Sequence, residues 1–306
     1  MSNITLTEVD VAIPEFWASV ALGALKANTV MAQLVRRDFD SEVATQGDTV
    51  NVIKRGALDV NAKAINTNVT LQNPANSKIP VVLDTHNEVS FLIEDVASAK
   101  AIDSAMEYVE DAAIVIAEDV DSILTALYVD IVNDQGATAL AMDTADIVKA
   151  NRQLNEQKCP RQGRVFVVSP AQEAALLNDV MFTSSDFGGE DPSRAAMIDA
   201  NMGRRYGFDF FMDQQIQETS SGPAIQHGMA FHRDAFALVS RTLPIPPNGS
   251  GAQGSTVSED GVGMRAIRAY NAGALGLQFT VDILFGVKSI RPDTHAVHVE
   301  TGDQIT

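Results

Sequence analysis

Residues 85–127, THNEVSFLIEDVASAKAIDSAMEYVEDAAIVIAEDVDSILTAL, change from a two-residue to a helical hydrophobic period. In the first part, Val89, Phe91 and Ile93 alternate with their neighbours, which predicts a β-strand with one apolar face. In the second part, apolar residues recur at steps of three and four and so share one face of a helix: Ile102, Met106, Val109, Ala113, Ile116, Val120, Ile123 and Leu127. The stretch therefore predicts a strand followed by a long helix.

Acidic side chains fill the other positions of this helix, namely Asp103, Glu107, Glu110, Asp111, Glu118, Asp119 and Asp121. They do not form the D-x-D-x-D-G series of a calcium loop, so we interpret them as a solvated face. The apolar face keeps a heptad step, which leaves a coiled coil open. The frequent alanines favour packing against a sheet of the same chain. At about 1.5 Å per residue, a helix from Asp95 to Val132 would be on the order of 55 Å long.

The preceding region, residues 47–93, is rich in β-branched side chains in DTVNVIKRG and KIPVVLDTHNEVSFLI, with the polar AKAINTNVTLQNPANS between them. This pattern predicts a long two-stranded β excursion. Isolated hairpins are marginal in water, and this tip has too few large apolar groups for its own core, so it needs a partner surface. Further upstream, PEFWASVALGALKANTVMAQLV predicts a short helical arm that is detached from the body and lies across a neighbouring copy.

Residues 137–240 alternate helix and strand signals, which is typical of a compact α/β unit. Thr144 is a predicted helix cap, RVFVV at 164–168 is a predicted buried strand, and Ser169 with Gln172 predicts a capping box at the next helix. Near the end of the chain, one apolar face alternates with polar residues: Leu277, Phe279, Val281, Ile283 and Phe285. This terminal sheet is the predicted platform for the long helix, and the fold class is α+β.

Composition excludes several classes of protein. The chain has 306 residues with 45% hydrophobic side chains, which is enough for one large domain or two interleaved ones. Its net charge of −18 argues against direct nucleic-acid binding, because affinity for phosphates comes mainly from Lys and Arg. Cys159 is the only cysteine, so an intrachain disulfide and the multi-cysteine zinc frameworks are excluded. Apolar runs are too short for a membrane span.

The adjacent basic residues are few, and we interpret them as solvated or intersubunit charges. The candidates for intersubunit contacts are Arg36, Arg37, Lys54 and Arg55. A third pair, Arg204 and Arg205, is read in the same way.

No residue is predicted to be catalytic, to bind a cofactor or to hold a metal. Gly249, Gly251 and Gly254 spell G-x-G-x-x-G, but PIPPN precedes them and STVSEDG follows, so a flexible loop is expected in place of the strand and helix of a dinucleotide site. His295 and His298 would point to opposite faces of a strand and could not chelate one metal. The other histidines are isolated in sequence: His86, His227 and His232.

The order of arm, extended β loop, long helix, α/β unit and terminal strands resembles the Hong Kong 97-like fold of the major capsid proteins of tailed bacteriophages. The motifs that carry this resemblance cover nearly the whole chain: LDTHNEVSFLIEDVASAKA, AEDVDSILTAL, RVFVVSPAQEAALL, GFDFFMDQQI, HGMAFHRDAFALVSR and FTVDILFGVKSIRP. The resemblance implies an N-arm (1–44), an E-loop (45–92), a P-domain with its spine helix (93–136 and 241–306) and an A-domain (137–240).

The resemblance further implies a capsid protein, not an enzyme, that assembles with itself as pentamers and hexamers in the host bacterial cytoplasm. The shell would enclose double-stranded DNA without sequence-specific binding, in a virion that also contains a portal and decoration proteins. Since the arm follows Met1 at once, the scaffold is expected to be a separate protein. Two alternatives stay open: an encapsulin-type nanocompartment shell, and a nucleotide-binding α/β enzyme built around residues 137–240.

Overall fold

The computed structural model describes residues 18–25, 29–38, 49–56, 58–95, 105–183, 202–220, 224–247, 251–259 and 262–302. The helices in these ranges are α1 (18–25), α2 (Met31–Leu34), α3 (Ala105–Thr125), α4 (Thr144–Glu156), α5 (Pro170–Asn178) and α6 (Val180–Thr183), with 3-10 turns at Ala126–Asp130 and Arg233–Ala235. The strands are β1 (Thr49–Lys54), β2 (Ser77–Val82), β3 (Thr85–Glu94), β4 (Asp134–Ala137), β5 (Arg164–Val168), β6 (Arg204–Arg205), β7 (Phe208–Met212), β8 (Glu218–Ser220), β9 (Ala224–His232), β10 (Phe236–Arg241), β11 (Ala252–Glu259), β12 (Val262–Asn271), β13 (Gly276–Ser289) and β14 (Ala296–Gly302). None of the described helices has both the length and the hydrophobicity that crossing a membrane requires.

Strand β13 is the centre of a five-stranded sheet. From Gly276 to Phe285 it pairs with β3 along one edge. On its other edge β12 pairs with the first part of the strand and β10 with the last part, and β11 extends the sheet beyond β12. The predicted alternation on β13 is confirmed, because the side chains of its apolar face are buried: Phe279, Val281, Ile283 and Phe285.

Helix α3 packs on this sheet with the apolar face that its sequence period predicts. The helix and β13 share one core, which includes Val109, Ala113, Ile116 and Val120 from the helix and Val281, Ile283 and Phe285 from the strand. Packing on a sheet of the same chain is therefore confirmed over the coiled-coil alternative. The side chains of Ile102 and Met106 lie outside the described residues. The helix ends earlier than predicted, because it tightens into a 3-10 turn and stops at Asp130.

The second sheet has seven strands in the order β4, β14, β9, β5, β7 and β6, with β8 also paired to β9. The central β5 is buried at every position, as the sequence predicts. The terminal segment 241–306 does not form one sheet as expected, because β14 pairs antiparallel with β9 and parallel with β4. The alternation within a strand indicates which face is buried but contains no information about the neighbouring strand.

Of the two helix caps predicted in the α/β unit, the cap of α5 is confirmed and the cap of α4 is one residue earlier than predicted. The capping box at α5 is confirmed, since the Ser169 hydroxyl accepts the amide of Gln172 and the Gln172 side chain accepts the amide of Ser169. The cap of α4 is Asp143, whose carboxylate accepts the amide of Asp146. The predicted cap Thr144 is the first helical residue, and its hydroxyl donates to Asp179.

The predicted excursion is a ribbon only at its base, where β1 and β2 pair from Thr49 with Val82 to Lys54 with Ser77. The base is held by an apolar cluster that includes Val50, Val52, Val81, Ala237, Val239 and Ile290. The following THNEVSFLIE is not the second strand of the excursion, because it forms β3 in the main sheet. The ribbon pairing ends at Val82, and residues 83–84 connect β2 to β3.

The base of the ribbon crosses very close to β13 at Gly286, where an added Cβ would lie 1.9 Å from the carbonyl oxygen of Val82. We expect Gly286→Ala to lower the free energy of unfolding by about 2–3 kcal/mol, because the backbone atoms must move apart. Urea unfolding measures this change. Gly23→Ala is the matched control, since no atom lies within 4 Å of its added Cβ on helix α1 and alanine favours helix by about 0.5–1 kcal/mol. Equal stabilities of the two variants would contradict the close approach.

Candidate assembly surfaces

The segment 55–76, here called the projecting loop, leaves the ribbon where β1 and β2 stop pairing. Its large aliphatic side chains are exposed rather than buried: Leu58 (69%), Val60 (101%), Ile65 (92%), Val69 (65%) and Leu71 (89%). Scattered apolar residues are normal on a protein surface, but a whole segment whose large aliphatic groups all face solvent marks an interaction site. The projecting loop is therefore the first candidate assembly surface.

Polar contacts, not apolar packing, shape the projecting loop. The side-chain amide of Gln72 makes two hydrogen bonds to the main chain of Asp59: it accepts from the amide at 2.8 Å and donates to the carbonyl. The amide of Gly56 donates to the Asn76 side chain. At the tip, Thr67 donates to the Ala64 carbonyl through its hydroxyl at 2.8 Å. These few bonds hold the two arms of the loop together while its aliphatic side chains stay uncovered.

The described part of the N-terminal arm is packed on its own subunit. Side chains of α1 and α2 enter the same core as helix α3, namely Ala21, Leu22, Leu25, Met31, Ala32 and Val35. The prediction that the arm is detached is therefore wrong for residues 18–25 and 29–38. The physical reason is that the arm has an apolar face of its own, which packs against α3.

Asp121 of helix α3 fixes this arm. Its carboxylate accepts the amide of Val30 at 2.5 Å and the amide of Ala32 at 3.0 Å. The side chain is only 2% exposed, which corrects its placement on the solvated face of the helix. A sequence signal was present, because Ala117 and Leu124 lie one turn before and after Asp121, and both are buried.

The environment of Asp121 strongly favours its protonated form. Burial raises the pKa of Asp121 from 3.8 to about 7, with a further rise from the nearby Asp213, against the lowering effect of the arm's amides. Burial also raises the pKa of Asp213, which is 3% exposed. The two carboxyl groups line a cavity of about 270 Å³ with Val30, Glu118, Met212, Gln214 and Gln215. Burial therefore favours the protonated carboxyl group of Asp121, whereas the amides of the arm favour its ionised form.

The four predicted intersubunit cations lie at two places. Arg36 pairs with β10 through its main chain, and its guanidinium is 3.6 Å from Asp38. Arg37 beside it is half-buried. At the base of the projecting loop, Lys54 is 3.7 Å from Asp293 and Arg55 is exposed.

The glycine motif is not a dinucleotide site in the described residues. Gly254 lies within strand β11, which begins directly after Gly251. A strand follows the glycines, so no helix amino terminus is placed there to receive a pyrophosphate. The prediction of a loop is wrong at Gly254, while Gly249 lies outside the described residues.

Comparisons with known proteins agree with this architecture. The family model for phage capsid protein matches residues 36–241, more than half of the chain. A solved structure from Mycobacterium phage Che8 is 20% identical, with a TM-score of 0.67 over 89% of this chain and 90% of the other. The capsid of Ralstonia phage GP4 is 12% identical, with a TM-score of 0.65 over 89% and 87%. The capsid of cyanophage P-SCSP1u is 14% identical, with a TM-score of 0.60 over 85% of each chain. The comparison with curated proteins gave no match.

The raised pKa of Asp121 predicts a specific pH dependence of stability. Between pH 4 and 7 the unfolded chain loses the Asp121 proton while the folded chain keeps it, so the stability of the subunit falls as the pH rises, by up to about 1 kcal/mol per unit. Asp121→Asn carries no such proton, and its stability should decline less across this window. Urea unfolding of the unassembled subunit at several pH values measures the difference.

The control for this comparison is Asp111→Asn, which removes an exposed carboxylate from the same helix. Its pH profile should run parallel to that of the unaltered protein. Parallel profiles for Asp121→Asn as well would show that Asp121 is not the group that takes up the proton.

Proposed function

Because the chain belongs to the phage capsid protein family, we propose that the projecting loop is the main contact through which its copies form an icosahedral shell. The chain is a structural protein of the virion with the Hong Kong 97-like fold, and copies of it associate in the capsid. The observation that supports a contact role for the loop is its row of exposed aliphatic side chains, above all Val60 and Ile65.

Burial of these side chains by a neighbour would supply the free energy of assembly. Each large aliphatic group gains about 1.5–3 kcal/mol on full burial, so the five together contribute on the order of 10 kcal/mol per loop before the entropy of association is subtracted. Contacts of this size are individually reversible. Repetition around a closed, symmetric shell makes their sum large, which is the usual basis of a stable assembly of weak contacts.

The four basic residues predicted to make intersubunit contacts reduce the repulsion between copies. Each subunit has a net charge of −18, so neighbours repel one another at low salt. Arg55 and Arg37 can pair with acidic groups of a neighbour. Arg36 and Lys54 already have acidic partners within the subunit, Asp38 and Asp293, and contribute less. Such pairs act over about 8 Å at physiological salt.

The wider organisation of the shell follows from the same proposal. Residues 1–44 serve as the N-arm, and the ribbon with the projecting loop, residues 49–82, serves as the E-loop. Strand β3, helix α3 and strands β10 to β13 form the P-domain, while residues 137–232 together with β14 form the A-domain. The subunits form pentamers and hexamers around double-stranded DNA, which they enclose without sequence-specific binding. A separate scaffolding protein, a portal and decoration proteins complete a particle that is assembled in the bacterial cytoplasm. The negative charge of the chain supports enclosure rather than tight binding of DNA.

The proposal predicts that charges on the projecting loop prevent assembly without unfolding the subunit. In the triple variant Val60→Asp, Ile65→Asp and Leu71→Asp, each substitution replaces an almost fully exposed aliphatic group. The free energy of unfolding should change by less than about 0.5 kcal/mol per site. Sedimentation velocity and negative-stain microscopy should show subunits or small oligomers in place of shells.

The control adds the same three charges to the same loop but keeps every aliphatic side chain: Asn61→Asp, Asn68→Asp and Thr70→Asp. This variant should still assemble, at most with a higher salt requirement. Normal shells from the aliphatic variant, or equal loss of assembly in both, would refute the apolar contact.

A further inference from the structure

The structure assigns a second kind of site to the seven-stranded sheet: we propose that His227, His298 and Glu300 bind a divalent transition metal of the zinc class and so link β9 to β14. Imidazole and carboxylate are preferred ligands of this metal class. The ligand atoms of the three residues lie within 4.8 Å of one another.

Strand pairing brings the three side chains together. Glu300 of β14 is directly opposite His227 of β9, and His298 lies two residues before Glu300 on the same face. Nδ1 of His227 is 3.0 Å from Nε2 of His298. In a tetrahedral zinc site two nitrogens at about 2.0–2.1 Å from the metal are about 3.3 Å apart, so a small widening and rotation of the rings admits the ion.

The outer nitrogen of each ring is already held by a hydrogen-bond partner. His298 Nδ1 is 2.9 Å from the Asp134 carboxylate of the neighbouring β4, and His227 Nε2 is 2.7 Å from the Thr219 hydroxyl on β8. With both outer nitrogens donating, both inner nitrogens present lone pairs to the space between the rings. Oε1 of Glu300 lies 3.8 Å from the outer Nδ1 of His298, so this carboxylate must turn toward that space to ligate the ion. The Asp134–His298 pair has the carboxylate–histidine arrangement that orients metal-bound imidazoles and raises their basicity.

The two imidazoles are buried, and the carboxylates of Glu300 and Asp134 beside them supply negative charge for a cation. The two histidines are 5% and 3% exposed, and the Tyr128 ring stacks on His227 with centroids 4.1 Å apart. Burial, with the neighbouring His298, lowers the pKa of His227. The side chains of Glu300 and Asp134 are 36% and 63% exposed, so both carboxylates contact solvent.

A bound metal would link strand β14 to strand β9, in the middle of the seven-stranded sheet. Because the ion binds the folded sheet and not the unfolded chain, its binding should raise the melting temperature of the protein. This site could not be predicted from a sequence motif, because His227 and His298 are 71 positions apart in the chain.

The test uses the full-length protein stripped of metal with a chelator and titrated with ZnCl2, with MgCl2 as the comparison cation. We expect one zinc ion per chain, a higher melting temperature with zinc alone, and two imidazole ligands in the X-ray absorption spectrum of the bound ion. His227→Gln and His298→Gln should abolish this binding. Absence of stoichiometric zinc binding in the unaltered protein would overturn the proposal in favour of a hydrogen-bonded histidine pair without metal.

Two further variants keep the test decisive if the histidine variants fail to fold. Asp134→Asn and Glu300→Gln change partly exposed carboxylates, and the first should weaken zinc binding about 10–100-fold by removing the partner of His298. Glu300→Gln should weaken it at least as much, because it removes a ligand. His86→Gln is the control, since His86 is a half-exposed histidine in the other sheet. Zinc affinity that drops in the His86 variant and persists in the other variants would place the metal elsewhere and refute the site.

Discussion

The packing of helix α3 on strand β13 is the contact on which the rest of the subunit depends. The apolar face of the helix and the buried face of the strand form one core, and every neighbouring part attaches to one of the two. Strands β3, β10 and β12 pair directly with β13, while α1 and α2 cover the helix. Small alanines on the helix, such as Ala113 and Ala117, allow this close approach.

This arrangement explains why the projecting loop can stay uncovered without unfolding. Its base is fixed to β10 by apolar packing of Val50, Val52 and Val81, and it passes so close to β13 that only glycine fits at position 286. Beyond Lys54 and Ser77 the loop has only a few polar contacts. The base therefore holds the ribbon on the subunit, and the aliphatic side chains of the exposed tip are not needed for this attachment.

The parts of this structure that follow from the sequence are those with a local cause. The periods of α3 and β13 are set by consecutive side chains, and the capping box of Ser169 and Gln172 spans four residues, so all of these could be predicted. The partner of a strand has no such local cause. For this reason the assignment of THNEVSFLIE to the excursion and of 241–306 to one sheet was wrong.

The candidate sites likewise combine features that nearby residues determine with features that depend on residues distant in sequence. The loop at 55–76 could be recognised by its polar composition, although only the structure shows that its aliphatic groups are exposed. Asp121 was misplaced because a carboxylate in an acidic helix is usually solvated, and its burial depends on amides from residues about 90 positions earlier. The pairing of His227 with His298 likewise depends on the register of two distant strands.

The arm and the projecting loop respond to different physical variables. The arm covers the Asp121 carboxyl group, whose pKa is raised by burial to about 7, so the charge of this group changes with pH near neutrality. The loop presents aliphatic side chains, and contacts between such groups weaken on cooling and depend little on pH. Within one subunit, a change of pH near neutrality therefore acts on the carboxyl group beneath the arm and leaves the exposed aliphatic side chains of the loop unchanged.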